Sequence, residues 1–275
     1  MHVPARPQDR LVLNRSSVSD NLATSCRAGA VLVQGPGVQG PAVQGILLDG
    51  GSSCSRNVAE RGEAGSCLRV ADSPVLSLRL TGGSRVDNNN ATVSGDGGAM
   101  RFTHLDELVA AGGSSISGNV AGGGAGGAIH SQGLGDSWNL TSIAVLGGSR
   151  INGNNASGGG GALWTGSRVG AVVVGGGSSV DGNAAGGEDG GALRLDHVGS
   201  LEVTDGSSVS GNTAAAGRGG AVFAEGVWEW RVERLAVTNG SRVDGNWAAQ
   251  AGGAFWTNIP IASLTVRACA VACVC

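Results

Sequence analysis

Short apolar alternations recur along the chain with a fixed grammar. A segment such as Gly113-Ser114-Ser115-Ile116-Ser117-Gly118-Asn119 returns as Gly240-Ser241-Arg242-Val243-Asp244-Gly245-Asn246, with one buried-type residue flanked by polar ones. A variable loop follows each Asn and ends in Gly-Gly-Ala plus an apolar residue: Ala99-Met100, Ala128-Ile129, Ala162-Leu163, Ala192-Leu193, Ala221-Val222 and Ala254-Phe255. A third alternation, as in Leu201-Glu202-Val203, Leu235-Ala236-Val237 and Leu264-Thr265-Val266, closes the period. Aligning on one residue gives Asn21, Asn57, Asn89, Asn119, Asn154, Asn183, Asn212 and Asn246, spaced 29 to 36 residues apart. A repeat of this length that cannot bury its own apolar face must stack on its neighbours. The pattern predicts an all-β, right-handed parallel β-helix of about eight coils, three short strands per coil, with neighbouring strands about 4.8 Å apart. The Asn column is expected to be structural: Asn tolerates a left-handed turn, and stacked Asn side chains can bond coil to coil.

The [Val/Ile]-x-Gly-Asn and Gly-Gly-Ala-[Ile/Leu/Val] motifs resemble the repeats of chlamydial polymorphic outer membrane proteins, within the wider group of pectin-lyase-like right-handed β-helices. The resemblance covers about residues 14–266, with Val or Ile here at an aliphatic position where that family carries Phe. It implies the coil geometry and raises surface placement, but a shared fold does not transmit activity. Residues 1–13 are expected to be irregular, 14–266 to be the repeat domain, and 267–275 to be a Cys-rich tail forming an incomplete coil. An uncapped C-terminal coil leaves open sheet edges, so end-to-end self-association is expected.

Composition removes some classes. The 52 glycines recur with the period, interleaved with Val, Leu and Ile, so they mark turns and not disorder. The net charge is −3, no lysine occurs, and no basic stripe is available for a phosphate backbone, so nucleic-acid binding is not expected. No apolar run suits a signal peptide or a membrane span. Five sequons, at Asn14, Asn90, Asn139, Asn155 and Asn239, are consistent with an extracellular or cell-surface location.

Candidate chemistry is sparse. Strand alternation sends Arg101, His130, Trp164, Arg194, Phe223 and Trp256 outward as one cationic and aromatic column. Two readings stand: a self-stacking surface ladder, or a platform on which a polysaccharide or another surface protein rests. The best catalytic microcluster is Asp189, Arg194, Asp196 and His197, echoed by Asp96, Arg101 and His104. The resemblance makes a polysaccharide lyase or hydrolase the alternative to a non-enzymatic scaffold, but the acidic residues are scattered where such chemistry needs them gathered. Asp87, Asp181 and Asp244 share a column and are expected to be surface charges near Arg85, Ser179 and Arg242. Gly35 to Gly40 fits G-x-G-x-x-G without a following helix pattern, so no cofactor is expected. Cys54 at a core position and Cys67 at an outward one are expected to point apart. Cys269, Cys273 and Cys275 have thiolate spacing but sit in the tail, and no metal is expected.

Overall fold

A computed structural model describes residues 2–4, 10–24, 28–35, 43–61, 65–93, 95–133, 139–227, 229–267 and 270–271. These form a parallel β-solenoid of about seven turns, close to the eight read from the Asn spacing, and no helix occurs among them. None of the described segments is a helix long and apolar enough to cross a membrane.

The three expected ladders all form. The Ser-x-Val strands Ser53–Ser55, Arg85–Asp87 and Ser115–Ser117 pair in parallel, and the ladder continues as single bridges through Arg150, Ser179, Ser208 and Arg242. The Gly-Gly-Ala strands form a second column, from Val31–Gln34 through Met100–Leu105 to Phe255–Thr257. A third runs from Arg10–Asn14 through Glu107–Ala110 to Leu264–Val266. In two coils the second and third strands fuse into the long bent strands Leu163–Gly175 and Leu193–Val203. A two-residue strand just after each Asn adds a fourth ladder, from Leu22–Ala23 to Trp247–Ala248. Residues 1–13 are not simply irregular, because His2–Pro4 pairs with the second column and Arg10–Asn14 with the third.

The core is a narrow stack of inward side chains, including Leu78, Leu80, Met100, Leu108, Ile116, Ile129 and Val145, all fully buried or nearly so. The Ala of Gly-Gly-Ala also lies inward: Ala99, Ala128, Ala162, Ala192 and Ala221 are at most 1% exposed. The chain turns at this corner, so two successive residues face the core and the strict alternation assumed from the sequence begins one residue later. Cys67 occupies this Ala position, and it therefore meets Cys54 across the core in a disulfide with Cα atoms 5.9 Å apart. The expectation that the two cysteines point apart was wrong for that reason. The bond closes a loop of sequence separation 13, for which the chain-entropy account gives about 3 kcal/mol of stabilisation. Alkylating the unfolded protein before and after reduction should show these two thiols appearing only with reductant, together with a lowered denaturation midpoint. Cys26, Cys269, Cys273 and Cys275 lie outside the described residues.

Two buried polar ladders run beside this apolar core. From Asn21 to Asn212, each Asn donates its backbone N–H and a side-chain N–H to Oδ1 of the next Asn, with side-chain distances of 2.8–3.0 Å. The other amide proton goes to a carbonyl of the preceding coil, as in Asn154 Nδ2 to Ile116 O at 3.0 Å. Asn57 through Asn212 are 0% exposed, so every amide hydrogen and carbonyl in the column must find a partner inside the protein. The left-handed residue is not the Asn but the one before it: Gly118, Gly153, Gly182, Gly211 and Gly245 have φ of 61–64°. Gly is the residue that reaches this conformation without a Cβ penalty, which explains the Gly-Asn pair. The Ser of the Gly-Ser pair makes the second ladder, where Ser114, Ser149, Ser178 and Ser207 each donate a backbone N–H to the Oγ of the next Ser.

Candidate functional site

The outward column forms as a continuous register. Arg101 pairs with His130, His130 with Trp164, Trp164 with Arg194, Arg194 with Phe223, and Phe223 with Trp256. Parallel pairing at one strand spacing forces these side chains into contact. His130 lies flat on Trp164, with centroids 4.6 Å apart and planes 3° from parallel, and Phe223 lies on Trp256 at 4.7 Å and 2°. The Arg194 guanidinium sits between the two stacks, 5.2 Å from the Trp164 ring and 5.7 Å from Phe223.

A residue from the variable loop completes the column. Arg218, just before its Gly-Gly-Ala, lies 4.1 Å from the Trp256 ring centre and 4.9 Å from Phe223. Asp189, at the equivalent loop position one coil earlier, holds that guanidinium by Nη2 at 2.9 Å and accepts the Arg218 backbone N–H at 2.6 Å. The carboxylate bond raises the Arg218 pKa further, so the cation is permanent. Arg218 comes from a loop without strand periodicity, so alternation could not reveal its place. The column is thus largely packed on itself: Phe223 is 0% exposed and His130 6%, while Trp164, Arg194 and Trp256 stay half-buried with open edges.

His130 Nε2 is 3.8 Å from the Asp96 carboxylate, yet burial drives its pKa down to about 4, with Arg101 adding to the decrease and Asp96 opposing it. The contact is therefore not an ion pair at neutral pH. Desolvation prevails because the ring is sealed under Trp164 and its Nδ1 has no hydrogen-bond partner among the described residues. The unfolded chain takes up the proton near pH 6.5 and the folded chain only near 4, so this group's stabilisation is full above pH 6.5 and is lost as pH falls through that window. The loss reaches about 3 kcal/mol, and urea midpoints measured from pH 7 to 4 should fall in wild type and flatten in His130→Gln.

The microcluster Asp189, Arg194, Asp196 and His197 does not converge on one point: only Arg194 and Asp196 meet, while Asp189 and His197 turn to residues outside it. Asp189 is bound by Arg218, and Arg194 bonds Asp196 at 3.0 Å. His197 turns to the edge of Trp230, with centroids 5.1 Å apart, and burial followed by the Arg168 charge lowers its pKa. Its weaker echo also separates. Asp96 faces Arg101 and the Ala125 backbone N–H, while His104 points inward at 0% exposure. There His104 Nε2 lies 2.6 Å from Asp106 and Nδ1 is 3.3 Å from the hydroxyl of Ser167, two coils on. This hydroxyl, imidazole and carboxylate row has the members of a nucleophilic relay, but Ser167 is 1% exposed and no substrate atom reaches it in this conformation. It braces the corner. Asp87 and Asp181 are also not paired with the neighbours expected from sequence: each accepts a Ser hydroxyl and a backbone N–H from the next coil, Ser115 and Ser117 for one, Ser208 and Ser210 for the other.

Sequence reasoning missed the surface around Trp230. The connection between Val222–Ala224 and Arg234–Val237 bulges outward and lays Trp230 against the core edge, where the Arg168 guanidinium covers it 3.4 Å from the ring centre. Two shallow depressions flank the ring. One, of about 320 Å³, is lined by Arg168, Asp196, Glu225, Gly226 and Val227; the other, of about 470 Å³, by His197, Glu229, Arg231 and Glu233. The stretch 225–233 carries none of the repeat motifs, but its own alternation, Trp228, Trp230 and Val232 set between Glu229, Arg231 and Glu233, is a signal that could have found it. Among the described residues no group of three or more His, Cys, Asp or Glu is placed to hold a metal ion.

No family model, curated protein or solved structure matches this chain.

Proposed function

We propose that the chain is a non-enzymatic scaffold of the cell surface or extracellular space that contacts polysaccharide, or another surface protein, through the column from Arg101 to Trp256. The observation that carries this reading is the continuous column along one face, in which Arg101 and Arg194 are each followed by a pair of stacked rings, with Trp164, Arg194 and Trp256 left partly exposed. Indole edges offer apolar contact to sugar C–H faces while guanidinium N–H groups donate to hydroxyls, a pairing common at rigid recognition surfaces. The Cys54–Cys67 disulfide supports an oxidising compartment. The pectin-lyase-like resemblance supports the extracellular setting but lends no chemistry, because Asp189 and Asp196 are each held by an arginine, Arg218 and Arg194.

The double variant Trp164→Ala/Trp256→Ala is expected to weaken binding to its ligand on a glycan array by about tenfold or more, roughly 1.4 kcal/mol. Some lowering of thermal stability is expected, since each ring covers a buried neighbour, so circular dichroism at the assay temperature must show the coils intact. Undiminished binding by the double variant would remove the column from the reading. Release of reducing or unsaturated ends from acidic polysaccharides would replace the scaffold by an enzyme.

A further inference from the structure

Strand alternation makes the outward column look cationic, yet its open half, from Trp164 to Trp256, holds no spare positive charge. Arg194 is paired with Asp196 at 3.0 Å, and Asp189 holds Arg218 through both oxygens, at 3.2 Å from Nε and 2.9 Å from Nη2. Two exposed carboxylates flank these pairs. Glu188 Oε2 lies 3.0 Å from the place of a Cβ on Gly159, which holds in the Trp164 coil the loop position of Asp189 and Arg218. Glu225 follows Asp196 one coil on, its backbone N–H bonded to Leu195 O, and the two line one depression. Neither glutamate forms an ion pair among the described residues. Arg168 sits at the rim of that depression, laid on Trp230. Even with Arg168 counted, four carboxylates stand against three guanidiniums, and His130 beneath Trp164 adds no charge at neutral pH.

The same surface can both give and take hydrogen bonds. The indole N–H groups of Trp164 and Trp256 have no acceptor among the described residues and are not buried. Asp196 is half-exposed and keeps accepting capacity that its one bond to Arg194 does not use. Sugar hydroxyls match this mixture, since each donates and accepts. A polyanion only accepts, and to reach a guanidinium it would have to displace Asp189 or Asp196 against an excess of like charge. A polycation mainly donates and leaves both indoles unanswered. Register sets the direction: Trp164, Arg194 and Trp256 fall on one strand column, and the three strand steps from first to last span about 14 Å along the solenoid axis. One step is close to the length of one pyranose in an extended chain.

We infer, resting on the glycan reading of the column, that its ligand is an uncharged polysaccharide laid along the solenoid axis at one sugar per coil from Trp164 to Trp256.

Titration calorimetry of the full chain tests charge class and direction together. The probes are neutral glucan, mannan, galactan and xylan oligosaccharides of graded length, with polygalacturonate as polyanion and chitosan as polycation. At least one neutral series is expected to bind, with affinity rising until about four sugars cover the column and then levelling. Its affinity should change by less than about twofold between about 0.05 and 0.5 M salt, because no ion pair forms. Polygalacturonate is expected to bind about tenfold more weakly, or not at all. Glu188→Gln/Glu225→Gln, at exposed positions, should raise polygalacturonate affinity by about tenfold by lifting the excess charge. Stronger binding of either charged probe than of any neutral series, abolished in Trp164→Ala/Trp256→Ala, would overturn the uncharged ligand and keep the column as a glycan site. Neutral affinity indifferent to length would overturn the axial chain, and no gain by the glutamate variant would overturn the part given to charge. Absence of binding to every probe would remove the glycan reading and this ligand with it.

Discussion

Gly191→Ala is expected to be among the most damaging single substitutions in this chain. A Cβ at Gly191 would stand 2.6 Å from the backbone nitrogen and carbonyl carbon of Thr213 and press on the Gly220 carbonyl oxygen. These are backbone atoms of the next coil, which no side-chain rotation can move aside. Gly127 and Gly161 show the same crowding, so the second Gly of Gly-Gly-Ala is the point where successive coils come nearest. Relief requires neighbouring coils to separate locally, losing their ladder bonds, and the cost should exceed about 3 kcal/mol. Gly177→Ala provides the contrast. It has φ of 73° but open space around its Cβ, so it carries only the left-handed penalty of about 1–2 kcal/mol. Urea unfolding followed by circular dichroism should rank the two in that order, and a reversed ranking would show that close approach is not what fixes glycine there.

The second large effect is expected from Asn154→Ala. Asn119 gives its backbone N–H and an amide proton to Asn154 Oδ1 at 3.0 and 2.9 Å, and Ile116 O accepts from Asn154 Nδ2. Alanine leaves both donors and that carbonyl without their partner in a site with no solvent access. Each orphaned buried group costs about 1–3 kcal/mol, so a loss of about 4 kcal/mol is expected, allowing for some relaxation. Asn21→Ala removes the first rung, which gives two protons to Asn57 Oδ1 and is exposed, so water can replace its bonds and its cost stays below about 1 kcal/mol. Amide hydrogen exchange would locate the damage, with protection lost on the coils beside residue 154 and kept at a distance, as nearest-neighbour stacking requires. Equal destabilisation by the two variants would mean that burial does not set the value of a rung.

The sequence made the fold legible because every coil repeats the same constraints. The Gly-Asn pair, the Gly-Gly-Ala corner and the Leu-x-Val alternation each reflect a local requirement met many times over. The outward column could be listed residue by residue because strand period alone orders it. What period could not supply was contact from outside the strands: Arg218 reaches Phe223 from a loop, and Trp230 reaches His197 from an insertion. The corner at Gly-Gly-Ala also breaks alternation by one residue, which reversed the facing of Cys67 and hid its bond to Cys54. Buried polarity was equally opaque, since His104 and Ser167 are 63 residues apart and meet only once the coils have stacked.

The uniformity of the Asn column carries a consequence for how the chain finds its register. One rung accepts another whatever its ordinal number, so a coil stacked on the wrong neighbour would satisfy much of the same hydrogen bonding. A perfectly regular version of this protein would have many near-degenerate arrangements. The irregular features break that degeneracy: the Cys54–Cys67 pair near the start, a His104–Ser167 bond that counts two coils, and a tryptophan insertion near residue 230. They act as index marks on an otherwise unnumbered ruler.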